Sequence, residues 1–306
     1  MNVRYVGWEG YGNYGDDVVK DVIKAMGFTF DEISDTTLFG AGTLFPMSEK
    51  LKERMTDKDP KNIVVFGAAV NDPKFDTDEY DKRDKETKEL LKKAKFVGLR
   101  SEYDKKMLGF GEVIGDPLFS IVPPQVEKQG FVILNIGHSA GNCWGGLKAE
   151  LNCFIAMLDF CKKLKKQIVI LPAWIEDVTL AHMAAGYLGT KHLSYPIRLS
   201  QMFKLFKAAD FAITYKLHPM ITALSVNTPV IPIEYRPKIR HVAEDFKIDH
   251  LILKTNEVTV EALEEKYELL KKWDYDFVAK MKKERSLKTR NFLKKIKLEL
   301  GEKQDG

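Results

Sequence analysis

Cysteine is scarce in this chain: Cys143, Cys153 and Cys161 are the three in 306 residues, an odd number with no Cys-x-x-Cys spacing. That excludes a disulfide framework and a cysteine-rich zinc site. Cys153 and Cys161 share a helical pattern and read as small buried hydrophobes. Also missing is any run near the roughly 18 apolar residues that a membrane helix needs. The opening, Met1-Asn2-Val3-Arg4-Tyr5-Val6-Gly7-Trp8, turns polar too soon for a secretory signal and reads as a buried strand. A soluble, cytoplasmic protein is expected.

Apolar material is ample, with 44% hydrophobic and 11% aromatic residues, which excludes wholesale disorder and collagen. At roughly 150 residues per domain the length predicts about two domains, or one large one. The net charge is only +4 but unevenly spread. Between Lys280 and Lys297 nine Lys or Arg stand with one acid, Glu284, a local net of +8. Such a run is either a solvated helix face or a surface for an acidic partner, a phosphorylated substrate or nucleic acid.

Short β-branched runs alternate with helical spacing along the chain. Strands are expected at Val3–Gly7, Thr37–Gly40, Asn62–Phe66, Phe96–Leu99 and Glu112–Ile114. Helices are expected at Asp16–Met26, Pro46–Met55, Glu79–Ala94 and Glu102–Leu108. Pro117, Pro123, Pro124 and Gly130 then break the pattern and mark a boundary. Beyond it, strands are expected at Phe131–Asn135, Gln167–Leu171, Phe211–Thr214 and Val230–Ile233. Helices are expected at Leu147–Leu164, Asp177–Leu188, Leu199–Ala208 and Pro219–Ser225. Val258–Leu300 reads as one or two long helices with a bend near Asp274-Tyr275-Asp276, and Gly301–Gly306 as a frayed tail. The alternation predicts an α/β chain: two tandem Rossmann-like domains, residues 1–122 and 130–256, whose parallel sheets face a cleft. A C-terminal helical extension, 257–306, can pack back on the first domain. Ligands of parallel sheets bind beyond the carboxyl ends of the strands, so the loops there carry the functional reading.

Gly10-Tyr11-Gly12-Asn13-Tyr14-Gly15-Asp16-Asp17 opens a helix. Gly12, Asn13 and Gly15 permit close approach of an anion to the helix N-terminus, while Asp16 and Asp17 cap the first turn. The same loop also reads as a turn and cap alone. Gly40-Ala41-Gly42-Thr43-Leu44 allows close backbone approach at Gly42, or a tight packing turn. Arg100, at a strand tip, offers a fork to phosphate or carboxylate, or pairs with Asp104 or Asp116. Lys216 and His218 lie two apart at a strand end, so a cation and an imidazole can bind an anion and move a proton.

Glu234-Tyr235-Arg236-Pro237-Lys238-Ile239-Arg240-His241 puts three cations within five residues, a phosphate grip or a solvated loop. His138 and Ser139 follow a strand and, with Tyr235 and Glu234, are candidate cleft-lining residues. Asp177, with Glu176 beside it, is a weaker candidate. His182, His192 and His250 look peripheral. No zincin histidine pair and no P-loop occurs.

Taken in order, these loops resemble the polysaccharide pyruvyl transferase family over roughly residues 3–246. The matching pieces are Gly12-Asn13-Tyr14-Gly15-Asp16-Asp17, Gly40-Ala41-Gly42-Thr43-Leu44, Arg100-Ser101-Glu102 and Gly115-Asp116-Pro117. Lys216-Leu217-His218, Pro229-Val230 and Tyr235-Arg236-Pro237-Lys238 follow. The sequence departs from the family pattern at Ala41, Ser101 and Lys216, the last standing where the family has Arg. The resemblance implies a glycosyltransferase type B-like fold, an acceptor-side first domain and a donor-side second domain. It implies transfer of a pyruvyl group from phosphoenolpyruvate to a glycan or lipid-linked sugar as a ketal, with no cofactor and no metal. His218 is then the general acid that protonates the enol carbon or assists the acceptor hydroxyl, and Arg100 and Lys238 bind the donor's phosphate and carboxylate.

A second reading is a type-B glycosyltransferase with a nucleotide-sugar donor. Lys216, His218 and Lys238 then hold the diphosphate, and Asp16 or Asp17 acts as base. Its acceptor is a glycan, or a modified base in DNA followed by the Lys280–Lys297 helix. A third is a sugar- or nucleic-acid-binding protein without catalysis.

Overall fold

The computed structural model describes the chain except Tyr11 and residues 55–61, 77–78, 192–197 and 302–306. Met55 at the end of one expected helix, His192, and all of the expected frayed tail beyond Gly301 lie outside the described residues. The chain divides into two compact units. One holds Met1–Tyr11, Asp16–Ile121 and Lys283–Gly306; the other holds Gly12–Gly15 and Val122–Lys282.

The first unit is built on β1 (Asn2–Val6), β2 (Thr29–Phe30), β3 (Thr36–Phe39), β4 (Gly42–Phe45), β5 (Asn62–Val70), β6 (Phe96–Leu99) and β7 (Glu112–Val113). They form one parallel sheet in the order β2-β1-β3-β5-β6-β7, with β4 also pairing β5. Its helices are α1 (Tyr14–Ala25), α2 (Glu49–Arg54), α3 (Tyr80–Leu91) and α4 (Glu102–Leu108). The longest strand, β5, is a near-continuous apolar run buried from Ile63 to Val70, as expected when helices cover both faces of a parallel sheet. Phe39, Leu44, Phe45 and Val65 lie in one buried cluster, with Val6 and Leu99 beside them. The segment Gly42–Phe45, expected as a turn, is a strand because β5 extends to Val70 and gives it a partner. At Gly67 the register slips; its φ is +76°, and a Cβ there would meet Pro117 Cδ at 2.7 Å.

The second unit holds β8 (Phe131–Ile136), β9 (Gln167–Pro172), β10 (Phe211–Thr214), β11 (Val230–Glu234) and β12 (Leu253–Lys254). All pair in parallel in the order β12-β11-β10-β8-β9. Between them run α5 (Gly146–Lys163), α6 (Val178–Leu188), α7 (Leu199–Ala208), α8 (Leu217–Ser225), α9 (Lys238–Asp245) and α10 (Val260–Leu270). The connections leave β8 in one direction and β10 in the other, so the switch point of this sheet lies between those two strands. The three thiols are buried and unpaired; Cys153 and Cys161 sit on the buried face of α5.

The last helix, α11 (Tyr275–Gly301), carries the basic run. From Lys283 onward it belongs to the first unit. Phe292 is buried, edge-on to Phe96 at 5.9 Å and tilted on Phe66 at 6.1 Å. Thr289 donates to the Ile114 carbonyl at 2.7 Å, Arg290 to that of Ser120 at 3.2 Å, and Lys297 to that of Met26 at 2.8 Å. Lys295 pairs with Glu112 at 2.8 Å, Lys288 with Glu284 at 2.9 Å, and Arg285 is buried. Arg290, Lys295 and Lys297 thus fasten this part of α11 to the rest of the first unit.

Candidate functional site

The carboxyl ends of β8, β9 and β10 are tied by one buried amide. Asn135 Oδ1 accepts the N–H groups of Tyr215 at 3.1 Å and Lys216 at 2.8 Å, and Nδ2 donates to the Leu171 carbonyl at 2.9 Å. This locks the switch point and aims the residues that follow each strand.

Lys216 caps α8. Its ammonium donates to the His138 carbonyl at 2.5 Å and lies 3.8 Å from Asp177 Oδ1. It also stands over the rings of Trp174, Tyr235 and Tyr215, at 5.3, 5.6 and 5.7 Å. Asp177 is fully buried at the start of α6. Burial pushes its carboxyl up, and Lys216 and hydrogen bonds from His138 pull it back. Its Oδ1 accepts the His138 N–H at 3.1 Å and lies 3.3 Å from His138 Nδ1. Among the described residues Asp177 Oδ2 has no hydrogen-bond partner.

Tyr215 and Tyr235 stack at 5.1 Å. Lys238 Nζ lies 5.0 Å and the Arg236 guanidinium 5.7 Å from the Tyr235 ring. Arg236 also donates to the Asn142 carbonyl at 3.0 Å. The expected cationic loop is partly helix: Lys238 begins α9, and Arg240 on α9 pairs with Glu234 at 2.6 Å. Glu234 is therefore not a lining residue. It is buried, and Trp144 Nε1, at 3.3 Å, is its second donor.

Ser139 is turned inward as well, donating to Glu150 Oε1 at 2.8 Å, where Tyr215 OH also donates at 2.6 Å. Burial alone would raise the Glu150 carboxyl, but bonds from Tyr215, Gly141 and Ser139 hold it below the usual range. Gly137-His138-Ser139-Ala140-Gly141 has the Gly-x-Ser-x-Gly spacing of a nucleophile elbow, a motif expected to be absent from this sequence. The geometry is different: the left-handed residues are Ala140 and Gly141, and the Ser139 hydroxyl meets a carboxylate.

His218 is the second residue of α8 and is half-buried. The turn Gly12–Gly15 belongs to this unit: Tyr14 N–H donates to Ala173 O at 2.9 Å, and Ile175 N–H to Gly12 O at 2.8 Å. Asn13 Oδ1 accepts the Gly15 N–H at 3.0 Å and shapes the turn. A Cβ on Gly15 would lie 1.6 Å from His218 Nδ1. Two expected motifs that lie far apart in the sequence therefore touch.

The remaining candidates lie in the first unit. Asp16 is buried in the first turn of α1 and would lie 3.1 Å from a Cβ on Gly42, where φ is +136°. Asp17 Oδ1 accepts the Gly10 N–H at 2.8 Å and closes the loop. Arg100 is buried just after β6; burial pushes the Asp104 and Asp116 carboxyls up, and the Arg100 charge opposes that rise at both. Its Nη2 lies 3.5 Å from Thr43 Oγ1, and among the described residues Nη1 has no hydrogen-bond partner.

Sequence reasoning passed over Asn135, Glu150 and Trp174. Asn135 sits inside an apolar strand, where one polar residue at a strand end is the available signal. Among the described residues no group of three or more His, Cys, Asp or Glu is placed to hold a metal, and no helix is long and apolar enough to cross a membrane.

A family model described as polysaccharide pyruvyl transferase matches residues 13–237. No curated protein sequence matches. Among solved structures the chain is similar to Anabaena Alr3699/HepE in complex with UDP-glucose: 12% identity, TM-score 0.54, covering 93% of this chain and 82% of that one. It is similar to a putative UDP-N-acetylglucosamine 2-epimerase from Listeria monocytogenes: 12% identity, TM-score 0.57, covering 98% and 96%. It is also similar to the wall teichoic acid polymerase TagF: 9% identity, TM-score 0.51, covering 100% and 89%. At these identities the likeness is one of fold, the glycosyltransferase type B-like α/β fold with two parallel sheets.

Proposed function

Because the chain belongs to the polysaccharide pyruvyl transferase family, we propose that this transferase moves a pyruvyl group from phosphoenolpyruvate onto two hydroxyls of one sugar in a glycan. The observation that carries this reading is the contact of Gly15 with His218 beside the Lys216 cage. It joins the family's glycine turn to its histidine at the switch point of a parallel sheet.

The chemistry asks for few groups. His218 gives a proton to C3 of the donor as an acceptor oxygen bonds to C2. The C2–O bond to phosphate then breaks, and a second hydroxyl oxygen bonds to C2. Two sugar protons are lost; one is recovered in the new methyl group, by way of His218, and one leaves with phosphate. Lys238 and Arg236, gathered at Tyr235, supply charge for the donor's anionic groups. Lys216 supplies less, because its ammonium is bound to His138 and faces Asp177. The reading calls on no resident cofactor or metal. Three buried unpaired thiols fit a reducing compartment, and we place the activity in the cytoplasm.

Thermal-shift titration with phosphoenolpyruvate tests the donor. Binding to the native state should raise Tm with ligand concentration, and UDP should not. A shift with UDP and none with phosphoenolpyruvate would overturn the donor and favour a nucleotide sugar.

A further inference from the structure

We propose that His138, oriented by Asp177, is the base that takes the proton from the acceptor hydroxyl. The inference rests on the transferase reading, but not on which donor is used. His218 cannot hold a proton for the donor carbon and be empty for a hydroxyl at the same moment. A second group resolves the conflict, and His138 has the geometry for it.

A carboxylate oxygen 3.3 Å from Nδ1 places the proton of the neutral ring on Nδ1 and leaves Nε2 as the acceptor. The same oxygen holds the His138 N–H at 3.1 Å, so backbone and ring are gripped together. The Lys216 ammonium binds the His138 carbonyl, and the Trp174 ring stacks on the imidazole at 6.3 Å and 17°. Gly137 leaves no slack: a Cβ there would lie 2.3 Å from Lys216 Cε and 3.1 Å from Asp177 Oδ2.

The His138 side chain stays 36% exposed, so the loaded edge is within reach of a ligand. The charged groups facing it are Asp177 beneath, Lys216 beside, and the exposed Glu176, whose Oε2 lies 3.7 Å from Nε2. In the step, Nε2 gains the hydroxyl proton as the oxygen bonds to its electrophilic carbon, and returns it to the departing phosphate or to water. His138 is then a catalytic residue and Asp177 a positioning residue.

Two measurements test this. In the ¹⁵N spectrum of histidine-labelled protein, neutral His138 should be the Nδ1–H tautomer, and Asp177→Asn should change it. A wild-type His138 in the Nε2–H form overturns the proposal whatever the donor. Release of phosphate from phosphoenolpyruvate with a panel of methyl glycosides reads the second. His138→Gln should lower kcat by about 100-fold or more and leave KM for phosphoenolpyruvate within about threefold. A His138→Gln variant with wild-type turnover overturns the proposal. If UDP is released from a UDP-sugar instead, the pyruvyl reading fails while His138 is judged on that reaction by the same criteria. If neither donor turns over, the tautomer decides.

Discussion

The Cα of Gly15 lies flush against the imidazole of His218, so that a methyl group on Gly15 would come 1.6 Å from Nδ1. Gly15→Ala must therefore displace the imidazole. The expected result is a fall in turnover of about 100-fold, with a stability cost of about 1–3 kcal/mol for overpacking. In a His218→Ala background the same substitution should cost under about 0.5 kcal/mol, because the clash is gone. Urea unfolding of the four proteins in this cycle reads the coupling; equal costs in both backgrounds would refute the contact.

Lys216 neutralises a carboxylate that water does not reach. Lys216→Met leaves Asp177 without its cation and should destabilise by about 3–5 kcal/mol, the range for breaking a buried pair. Arg236→Met loses a bond to a carbonyl and should cost under about 1 kcal/mol. Denaturant midpoints of the two variants make the comparison, and equal losses would show that Lys216 does not support Asp177.

Burial pushes the Asp116 carboxyl up to about 6 from the ordinary 3.8, against the pull of Arg100 and the Leu118 N–H. The native state thus binds this proton more tightly than the unfolded chain does. Its contribution to stability is full below about pH 4 and is lost as pH rises through 6. Asp116→Asn keeps an oxygen for the Leu118 N–H and removes the titration. At about 1.4 kcal/mol for each tenfold change in proton affinity, the variant should gain on wild type by on the order of 3 kcal/mol between pH 4 and pH 7.5. Melts at both values check this; a constant gap would contradict it.

Phe292 ties α11 to the first sheet. Phe292→Ala empties a buried site between Phe66 and Phe96 and should cost about 3–5 kcal/mol. A cost below about 1 kcal/mol in chemical denaturation would mean that the helix contributes little to that unit.

Most elements were legible as local pattern, because period and propensity act over a few residues. The runs Phe96–Leu99 and Phe211–Thr214 form strands over the residues expected, and Glu102–Leu108 and Leu199–Ala208 form the expected helices. The misses have a common cause. Strands Thr29–Phe30 and Leu253–Lys254 are two residues long and exist because a neighbour pairs with them. Lys238–Asp245 looks like a charged loop until Ile239, Val242 and Ala243 are seen to face the core.

From composition and periodicity alone followed the α/β class, and from motif order the family. These rest on short-range spacing that any extended chain already displays. Which side chains work together required the folded backbone. Gly12–Gly15 packs with the second sheet rather than with the strand it follows, Glu234 turns inward to Arg240, and Asp177 reaches His138. Such partnerships depend on burial and on contacts between distant segments, which arise when parallel strands bring their carboxyl ends together.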